Sequence, residues 1–258
     1  TSSKASPKKG TTIEVIDLWK RYGLPFPKFC NQKSGLLSRF RGKSNPQEPP
    51  SDFALRGVTV EVRGGETLGM IGRNGAGKST LLKVLAGVTP TTSGVVRSSG
   101  HVFPMIELNA GLHTELTGRE NIFLLGAIMG LSRRDIRNKM AEIETFCELG
   151  SWLNKPVRKY SSGMIARLGF GVAMNVRADI LLIDEVLAVG DLPFQRKCYH
   201  RMEKLRKSGA TIVFVSHSIR QIERICSNVI LLDKGKILDS GDPGKICHRY
   251  MRISMDTI

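Results

Sequence analysis

The sequence predicts an α/β fold, and three features of the 258-residue chain carry that prediction. A glycine-rich segment, residues 72–79, follows an apolar run and precedes a stretch of helical character. A second apolar run, residues 180–183, ends in two acidic residues, as a buried strand does at the edge of a parallel sheet. Between residues 114 and 159 the apolar residues recur at helical spacing. Together these features predict an α/β domain with an inserted α-helical subdomain.

The N-terminal part of the chain divides into segments of different character. Residues 1–11 form a basic tail that we expect to be disordered. An edge strand over residues 13–18 is predicted by Ile13, Val15, Ile16 and Leu18, and Tyr22 closes it. We expect Tyr22 to lie against an adenine ring, the alternative being an ordinary tyrosine at a strand end. Residues 23–52 are rich in Pro, Gly, Ser and basic residues and predict an insertion, after which alternating valines over 55–62 resume a strand.

The glycine-rich segment reads Gly-Arg-Asn-Gly-Ala-Gly-Lys-Ser and fits G-x-x-x-x-G-K-[ST], the phosphate-binding loop. Its glycines permit positive φ angles that turn N–H groups toward phosphate oxygens, and the following helix adds its positive dipole end. We expect Lys78 to bind the β- and γ-phosphates and Ser79 to bind magnesium. A glycine-rich turn without a ligand is the alternative. The residues predicted to contact ATP in this segment are Gly72, Arg73, Asn74, Gly75, Ala76, Gly77, Lys78, Ser79 and Thr80.

Helical spacing dominates the middle of the chain, after short strands expected over residues 95–103. Thr117 and Glu120 stand three residues apart, which predicts a capping box at a helix start, and Ser132 predicts a second start. The apolar residues after Ser132 are expected to form a core stripe. These helices define the predicted helical subdomain, about residues 112–162.

Asp184 and Glu185 follow the buried strand at residues 180–183, which places both carboxylates beside the phosphate loop. We expect Asp184 to hold magnesium, through water, and Glu185 to orient and deprotonate the water that attacks the γ-phosphate. His217 comes just after the apolar run at residues 211–215, which should neighbour the strand at residues 180–183. Its ring is therefore expected to reach the γ-phosphate. The predicted catalytic residues are therefore Lys78, Glu185 and His217.

The remaining segments predict helices and one hairpin. Residues 160–164, Tyr-Ser-Ser-Gly-Met, precede a helix, and small residues at a helix start make either an anion site or a simple N-cap. Residues 194–208 predict a basic amphipathic helix, and residues 219–226 another helix. Asp-Lys-Gly at 233–235 predicts a hairpin turn, and residues 244–251 a last helix.

The composition indicates an anionic partner. The formal net charge is +16, and residues 1–50 hold ten Lys and Arg residues against three acidic ones. Nucleic acid, an anionic membrane surface and a merely solvated tail are all compatible with this excess.

The five cysteines are dispersed without a C-x-x-C motif, which argues against a zinc site and indicates a reducing compartment. No apolar run approaches the roughly 18 residues of a membrane helix and no signal peptide is visible, so membrane association is expected to be peripheral.

The motifs, taken in order, resemble the nucleotide-binding subunit of an ATP-binding cassette (ABC) transporter: the phosphate loop, Y-S-S-G-M before a helix, I-L-L-I-D-E and V-S-H. The resemblance covers roughly residues 12–250 and implies one P-loop NTPase domain over residues 12–258, with ATP and Mg²⁺ as cofactors. It also implies a mixed sheet with an antiparallel β edge beside the inserted α-helical subdomain. It further implies a head-to-tail homodimer in which each ATP lies between one phosphate loop and the partner's signature. That signature, usually L-S-G-G-Q, is here represented by Ser161, Ser162, Gly163 and Met164.

Two further positions follow from the resemblance. Asp191 falls where the family has an aspartate that contacts the second subunit. The glutamine loop, which contacts magnesium and the membrane partner, should lie near residues 105–109, but no glutamine stands there. Glu107 is the nearest substitute and is the third candidate metal ligand, beside Ser79 and Asp184.

Longer motifs are similar to one subfamily, the ATP-binding subunits of bacterial exporters for O-antigen, capsular polysaccharide and teichoic acid. They are E-L-x-A-G-x-H-x-E-L-T-G-R-E-N-I, Y-S-S-G-M-x-A-R-L and I-D-E-V-L-A-V-G-D-x-x-F-Q. The resemblance implies an ATPase at the cytoplasmic face of the bacterial inner membrane. It would work with two copies of a polytopic permease to export a lipid-linked glycan.

Two alternatives remain at this stage. One is an ABC ATPase that exports another substrate. The other is a soluble, non-transport ABC ATPase that acts on nucleic acid, for which the +16 charge would serve. Such proteins usually carry two cassettes or a long coiled coil, and the sequence shows neither, so no nucleic-acid partner is expected.

Overall fold

The computed structural model describes residues 10–23, 52–105, 111–176, 178–184 and 191–255. The strands in these ranges are β1 (Thr11–Arg21), β2 (Phe53–Arg63), β3 (Thr67–Ile71), β4 (Ser93–Ser98), β5 (Val102–Met105), β6 (Ile180–Ile183), β7 (Thr211–Val215), β8 (Asn228–Asp233) and β9 (Lys236–Gly241). The helices are α1 (Lys78–Leu85), α2 (Gly118–Ile128), α3 (Arg133–Cys147), α4 (Ser162–Ala173), α5 (Leu192–Lys207), α6 (Ile219–Ile225) and α7 (Pro243–Met255). Two short 3-10 turns lie at Gly150–Asn154 and Val157–Lys159.

These strands form two sheets. The larger has six strands in the order β5-β6-β7-β3-β8-β9, of which the first five are parallel and β9 runs antiparallel to β8. The smaller is antiparallel, in the order β2-β1-β4. The architecture is the mixed α/β fold with antiparallel strands that the sequence predicts.

Strand β1 occupies the centre of the smaller sheet, so the prediction of an edge strand at residues 13–18 is wrong. It pairs with β2 on one side and β4 on the other. The central position buries Glu14, which is 1% exposed, and Arg97 of β4 donates from Nη1 to its Oε2 at 2.9 Å. On an edge strand this carboxylate would have had water beside it instead of a second strand.

The larger sheet contributes to two cores because successive side chains on a strand point to opposite faces. Ile180 and Leu182 of β6 pack in the core that holds α1 and the smaller sheet. Leu181 and Ile183 pack on the other face, with residues of α4, α5, α6 and α7. Helix α1, which follows the phosphate loop, therefore lies between the two sheets.

The helical subdomain has a core of its own, to which Ile136, Ile143 and Cys147 of the predicted stripe contribute. Its first helix begins with the predicted capping box: Thr117 Oγ1 accepts from the Glu120 N–H at 3.2 Å, and Glu120 Oε2 accepts from the Thr117 N–H at 2.8 Å. Ser132 caps α3, its Oγ accepting from the Asp135 N–H at 3.1 Å. Helix starts were predictable because a cap depends on residues only three positions apart.

The predicted insertion at 23–52 falls mostly outside the described residues, as do residues 1–9 of the basic tail. Its two ends are neighbours, since Arg21 and Asp52 form an ion pair at 2.8 Å. Four cysteines are free and buried, and Cys30 lies outside the described ranges. Within those ranges, no helix combines the length and apolar character needed to cross a membrane.

Candidate functional site

The phosphate loop joins the carboxyl end of β3 to the start of α1. Strand β3 is buried along its whole length between β7 and β8, which fixes the loop at the carboxyl edge of the parallel strands. Gly77 precedes α1 with φ 106°, and no side chain caps the helix. The N–H groups of the first turn therefore face the loop without a competing side-chain acceptor, as anion binding at a helix start requires.

Space as well as conformation requires glycine at two positions of the loop. A Cβ at Gly72, where φ is 150°, would lie 2.1 Å from the carbonyl oxygen of Leu232. A Cβ at Gly77 would lie 2.7 Å from the carbonyl oxygen of Ala54. The loop is thus packed closely between β8 and the start of β2.

The hairpin turn at residues 233–235 braces the loop, a contact that the sequence did not predict. The Gly235 N–H donates to the Ala76 carbonyl at 3.0 Å, and the Arg56 N–H donates to the Gly235 carbonyl at 2.8 Å. The turn therefore links the loop to β2. Turn chemistry predicted the hairpin itself, but not which distant segment it would contact.

Lys78 is 6% exposed and lies inside the curve of the loop. Its Nζ donates to the Gly72 carbonyl at 2.6 Å and to the Arg73 carbonyl at 3.0 Å. A buried ammonium held in this way attracts anions more strongly than an exposed one, because less water screens its charge. Gly72 and Arg73 thereby shape the site through their carbonyls.

One cavity of about 190 Å³ brings together residues of the phosphate loop with Asp184 and His217. Strands β6 and β7 are neighbours, with Ile183 opposite Phe214, so the residues that follow them emerge at the same edge. Asp184 follows β6 directly and His217 follows β7 by two residues. The cavity is lined by Ala54, Asn74, Gly75, Ala76, Gly77, Lys78, Ser79, Thr80, Asp184, Val215 and His217.

The donor set of this cavity fits a magnesium ion that arrives with a nucleotide. The Ser79 hydroxyl and the Asp184 carboxylate are oxygen ligands of the kind Mg²⁺ prefers. No group of three or more His, Cys, Asp and Glu residues gathers into a metal site in the described part of the chain. Phosphate oxygens and water would therefore have to complete the coordination, as is usual for Mg²⁺ bound with a nucleotide.

Glu185 and Glu107 lie outside the described residues. The general base and the third metal ligand therefore remain predictions from the sequence.

Tyr22 lies beside the first turn of α1. Its hydroxyl donates to Thr80 Oγ1 at 3.4 Å, and its side chain is half exposed. The ammonium of Lys20 lies 5.0 Å from the centre of the ring. Sequence analysis gave Lys20 no role, since its contact with the ring depends on how β1 ends.

The four signature residues lie apart from this cavity, and none of them lines it. Ser161 caps α4, its Oγ accepting from the Met164 N–H at 3.3 Å, which is the simple structural role that the sequence left open. Ser161 and Ser162 are exposed. The start of α4 is thus open to solvent or to a partner.

Asp191 also has a role within its own chain. It caps α5, its Oδ1 accepting from the Phe194 N–H at 3.3 Å, and it accepts from Arg167 Nη2 of α4 at 2.8 Å. The guanidinium of Arg167 packs over the Phe194 ring, 4.7 Å from its centre. The motif Y-S-S-G-M-x-A-R-L contained Arg167, but only the structure gives it a partner.

The glycine-rich loop lies at the carboxyl edge of β3, beside an acidic residue after β6 and a histidine after β7. This arrangement defines a P-loop nucleotide-binding protein. The protein-family model described as ABC transporter matches residues 55–188. The chain belongs to the ABC transporter family, and its domain is of the ABC ATPase type. The predictions of fold and of enzyme class are thereby confirmed.

Individual relatives agree with this assignment. The O-antigen export system ATP-binding protein RfbB of Klebsiella pneumoniae is 46% identical over 198 residues, 77% of this chain and 80% of that protein. The teichoic acids export ATP-binding protein TagH of Lactiplantibacillus plantarum is 41% identical over 244 residues, 95% of this chain and 65% of that protein. A solved ATP-binding subunit of an ABC transporter has the same fold, with a TM-score of 0.73 at 23% identity over 93% of both chains.

Proposed function

We propose that this chain is the ATP-hydrolysing subunit of an exporter that moves a lipid-linked polysaccharide across the cytoplasmic membrane. The observation that carries hydrolysis is the convergence of Lys78, Asp184 and His217 on one cavity beside the phosphate loop. The export substrate, of the O-antigen, capsule or teichoic-acid type, is supported by relatives named for O-antigen and teichoic-acid export, at 46% and 41% identity.

The roles of the residues follow from their chemistry. Lys78 and the N–H groups of the loop bind the β- and γ-phosphates, which holds the γ-phosphorus in place for attack. Ser79 and Asp184 would hold Mg²⁺, which neutralises charge on the phosphates when bound. Glu185 accepts a proton from the attacking water. At the same time the oxygen of that water bonds to the γ-phosphorus, and the bond between the γ-phosphorus and the β–γ bridging oxygen breaks. His217 hydrogen-bonds the γ-phosphate and keeps it aligned.

The working unit is a head-to-tail homodimer. Ser161, Ser162, Gly163 and Met164 stand at the exposed start of α4 and outside the cavity around Lys78, as residues that complete the site of a second copy would. A solved ATP-binding cassette with the same fold, at a TM-score of 0.69 and 20% identity, is a dimer in a post-hydrolysis state with ADP and phosphate. Asp191, at the exposed start of α5, is a further contact with the second copy.

Transport requires a membrane partner, for which we propose two copies of a polytopic permease. The chain itself would attach peripherally to the cytoplasmic face of the inner membrane. Its net charge of +16 favours that location, because anionic lipids attract basic surfaces.

Glu185→Gln tests this proposal, because it keeps the shape of the side chain and removes the base. The purified variant should still bind ATP, lose steady hydrolysis by at least about 100-fold and accumulate an ATP-bound dimer. Glu223→Gln, at an exposed position of α6, is the matched control. In cells that make the glycan, Glu185→Gln should stop its delivery and leave lipid-linked glycan on the cytoplasmic side.

The two readouts separate the two parts of the proposal. Hydrolysis at the wild-type rate in Glu185→Gln would reject the assignment of the base. Loss of hydrolysis with normal glycan delivery would reject polysaccharide export and leave the ATPase standing.

A further inference from the structure

We propose that Lys20 is a positioning residue for the nucleotide base: its ammonium fixes the ring of Tyr22, against which the adenine of ATP stacks. The inference rests on the proposed binding of ATP and adds to it the residue that orients the Tyr22 ring.

The ammonium of Lys20 is unusually well fixed for a lysine. Its side chain is only 8% exposed, whereas lysine is rarely buried. Nζ donates to the carbonyl oxygen of Pro90 at 2.9 Å. Since a buried charge requires such partners, the position of the ammonium is set by the segment that follows α1 rather than by solvent.

The same ammonium lies over the ring of Tyr22. The distance from Nζ to the ring centre is 5.0 Å, within the roughly 6 Å over which a cation is attracted to an aromatic face. The second contact of the tyrosine is the long hydrogen bond of 3.4 Å to Thr80. Among the described residues, Lys20 is therefore the contact that acts on the face of the ring, while Thr80 holds the hydroxyl only through a long hydrogen bond.

The backbone around the pair is anchored as well. The Arg21 N–H donates to Thr92 Oγ1 at 2.9 Å, and the Thr92 N–H donates to the Trp19 carbonyl at 2.9 Å. The end of β1 is thus tied to the connection between α1 and β4. Neighbouring Arg21 cannot replace the lysine, because its guanidinium pairs with Asp52 and lies over Phe53.

The ring of Tyr22 lies where the base of a bound nucleotide would extend beyond the phosphate site. Thr80, which the tyrosine contacts, lines the cavity with Lys78 and Ser79. The Tyr22 side chain is 51% exposed, so part of the ring is available to a ligand. A cation on one face leaves the opposite face for a flat, uncharged base.

A purely structural role for Lys20 makes a different prediction. If the lysine only ties β1 to Pro90, its loss would weaken all ligands of the site equally or none of them. If it positions Tyr22, its loss would weaken only ligands that carry a base. ATP and inorganic tripolyphosphate separate these cases, since both have the phosphate chain and only ATP has the base.

The experiment measures the dissociation constants of Mg-ATP and Mg-tripolyphosphate by calorimetry. Lys20→Gln removes the charge and retains a donor for Pro90, whereas Lys20→Arg retains the charge. Lys20→Gln should weaken ATP binding by about two- to five-fold and leave tripolyphosphate binding unchanged, while Lys20→Arg stays near wild type. In a Tyr22→Ala background, Lys20→Gln should cause no further loss. Lys236→Met, at an exposed strand position, is the control for a lost surface lysine.

The possible failures are distinguishable. If the wild-type protein binds neither compound, the proposed function is wrong. If it binds ATP, but Lys20→Gln leaves both compounds unchanged or weakens both equally, the positioning role is wrong while ATP binding stands. An additional loss from Lys20→Gln in the Tyr22→Ala background also overturns the proposal, because the lysine would then act independently of the ring.

Discussion

Glu148 is the residue at which three helices meet. It ends α3 in a left-handed conformation, with φ 55°. Its Oε1 accepts from Lys197 of α5 at 2.7 Å, and its Oε2 accepts from Arg167 of α4 at 2.9 Å. Because Arg167 also holds Asp191, the two carboxylates share one guanidinium. The start of α5 and the helix that carries the signature are thereby connected through side-chain charge.

Glu148→Gln should lower stability at pH 7, and the difference from wild type should disappear in acid. The hydrogen bond from Lys197, followed by that from Arg167, holds the pKa of Glu148 below its ordinary value of 4.5. A carboxyl with a depressed pKa stabilises the fold fully above 4.5 and loses that contribution as the pH falls through its folded pKa. Since the side chain is half exposed, we expect at most about 1 kcal/mol.

Urea unfolding at pH 7 and at pH 3.5 measures this difference. It is carried out on the wild type, on Glu148→Gln and on the surface control Glu223→Gln. A stability loss in Glu148→Gln that persists undiminished well below pH 4.5 would contradict the ion-pair explanation. The loss would then have to come from packing, which does not titrate.

At the scale of elements, α3 and α4 pack at a distance that only glycine permits. A Cβ at Gly171 would lie 2.1 Å from Sγ of Cys147. Burial raises the pKa of the Cys147 thiol to about 12, so at neutral pH it is an uncharged group in the core. At this point of the contact, the spacing of the two helices is therefore set by the size of the two residues and not by charge.

Gly171→Ala should destabilise the protein by about 1–3 kcal/mol, because the added methyl group overpacks this contact. Cys147→Ala removes the sulfur atom that the methyl group meets and, since the thiol is neutral, removes no charge. The double variant should therefore be more stable than Gly171→Ala alone. Urea unfolding of the two single variants and the double variant gives the coupling. Strictly additive losses would show that the cysteine is not the obstacle.

Elements fixed by neighbouring residues were predictable, and elements fixed by distant ones were not. Thr117 with Glu120 predicted α2, and the apolar run before Asp184 predicted β6, because each signal lies within a few residues. The placement of β1 at an edge was wrong because its second neighbour, β4, lies about 80 residues further along the chain. Glu14 gave no local sign of a central strand, because charged side chains are typical of edge strands.

The candidate site follows the same rule. The phosphate loop, Asp184 and His217 were predictable as a group, since parallel strands bring their carboxyl ends to one edge. Lys20 and Arg167 were not, because their partners, Pro90 and Asp191, lie 70 and 24 residues away. Spacing identifies residues that end neighbouring strands, whereas side chains that orient them depend on the packing of the whole fold.

For the molecule as a whole, the position of the phosphate loop favours closure between chains. Gly72 lies against Leu232, and Gly77 against Ala54, so the loop is held by both sheets and has little room to move. The signature stands on the helical subdomain, outside the cavity around Lys78. We therefore expect the nucleotide to be enclosed by movement of one chain against another.

Mixing two inactive variants tests this arrangement. Lys78→Met removes the cation of the loop, and Gly163→Arg blocks the signature. Among the described residues, a Cβ at Gly163 would meet Ser161 Oγ at 3.9 Å, so the first carbon of the arginine side chain has room in its own chain. In a head-to-tail dimer of one copy of each variant, one site combines both defects. The other joins an intact loop to an intact signature, so the mixture should hydrolyse ATP although neither variant does so alone.

The matched control places both substitutions in one chain and mixes that chain with wild type. Each site of the mixed dimer then carries one defect, so activity should fall below that of the wild-type chain diluted with buffer. Two affinity tags on the mixed chains verify that subunits exchange. If they exchange and the two single variants together remain inactive, the loop and the signature do not meet across a dimer. The site around Lys78 would then have to be completed within its own chain, by a movement of the helical subdomain toward the loop.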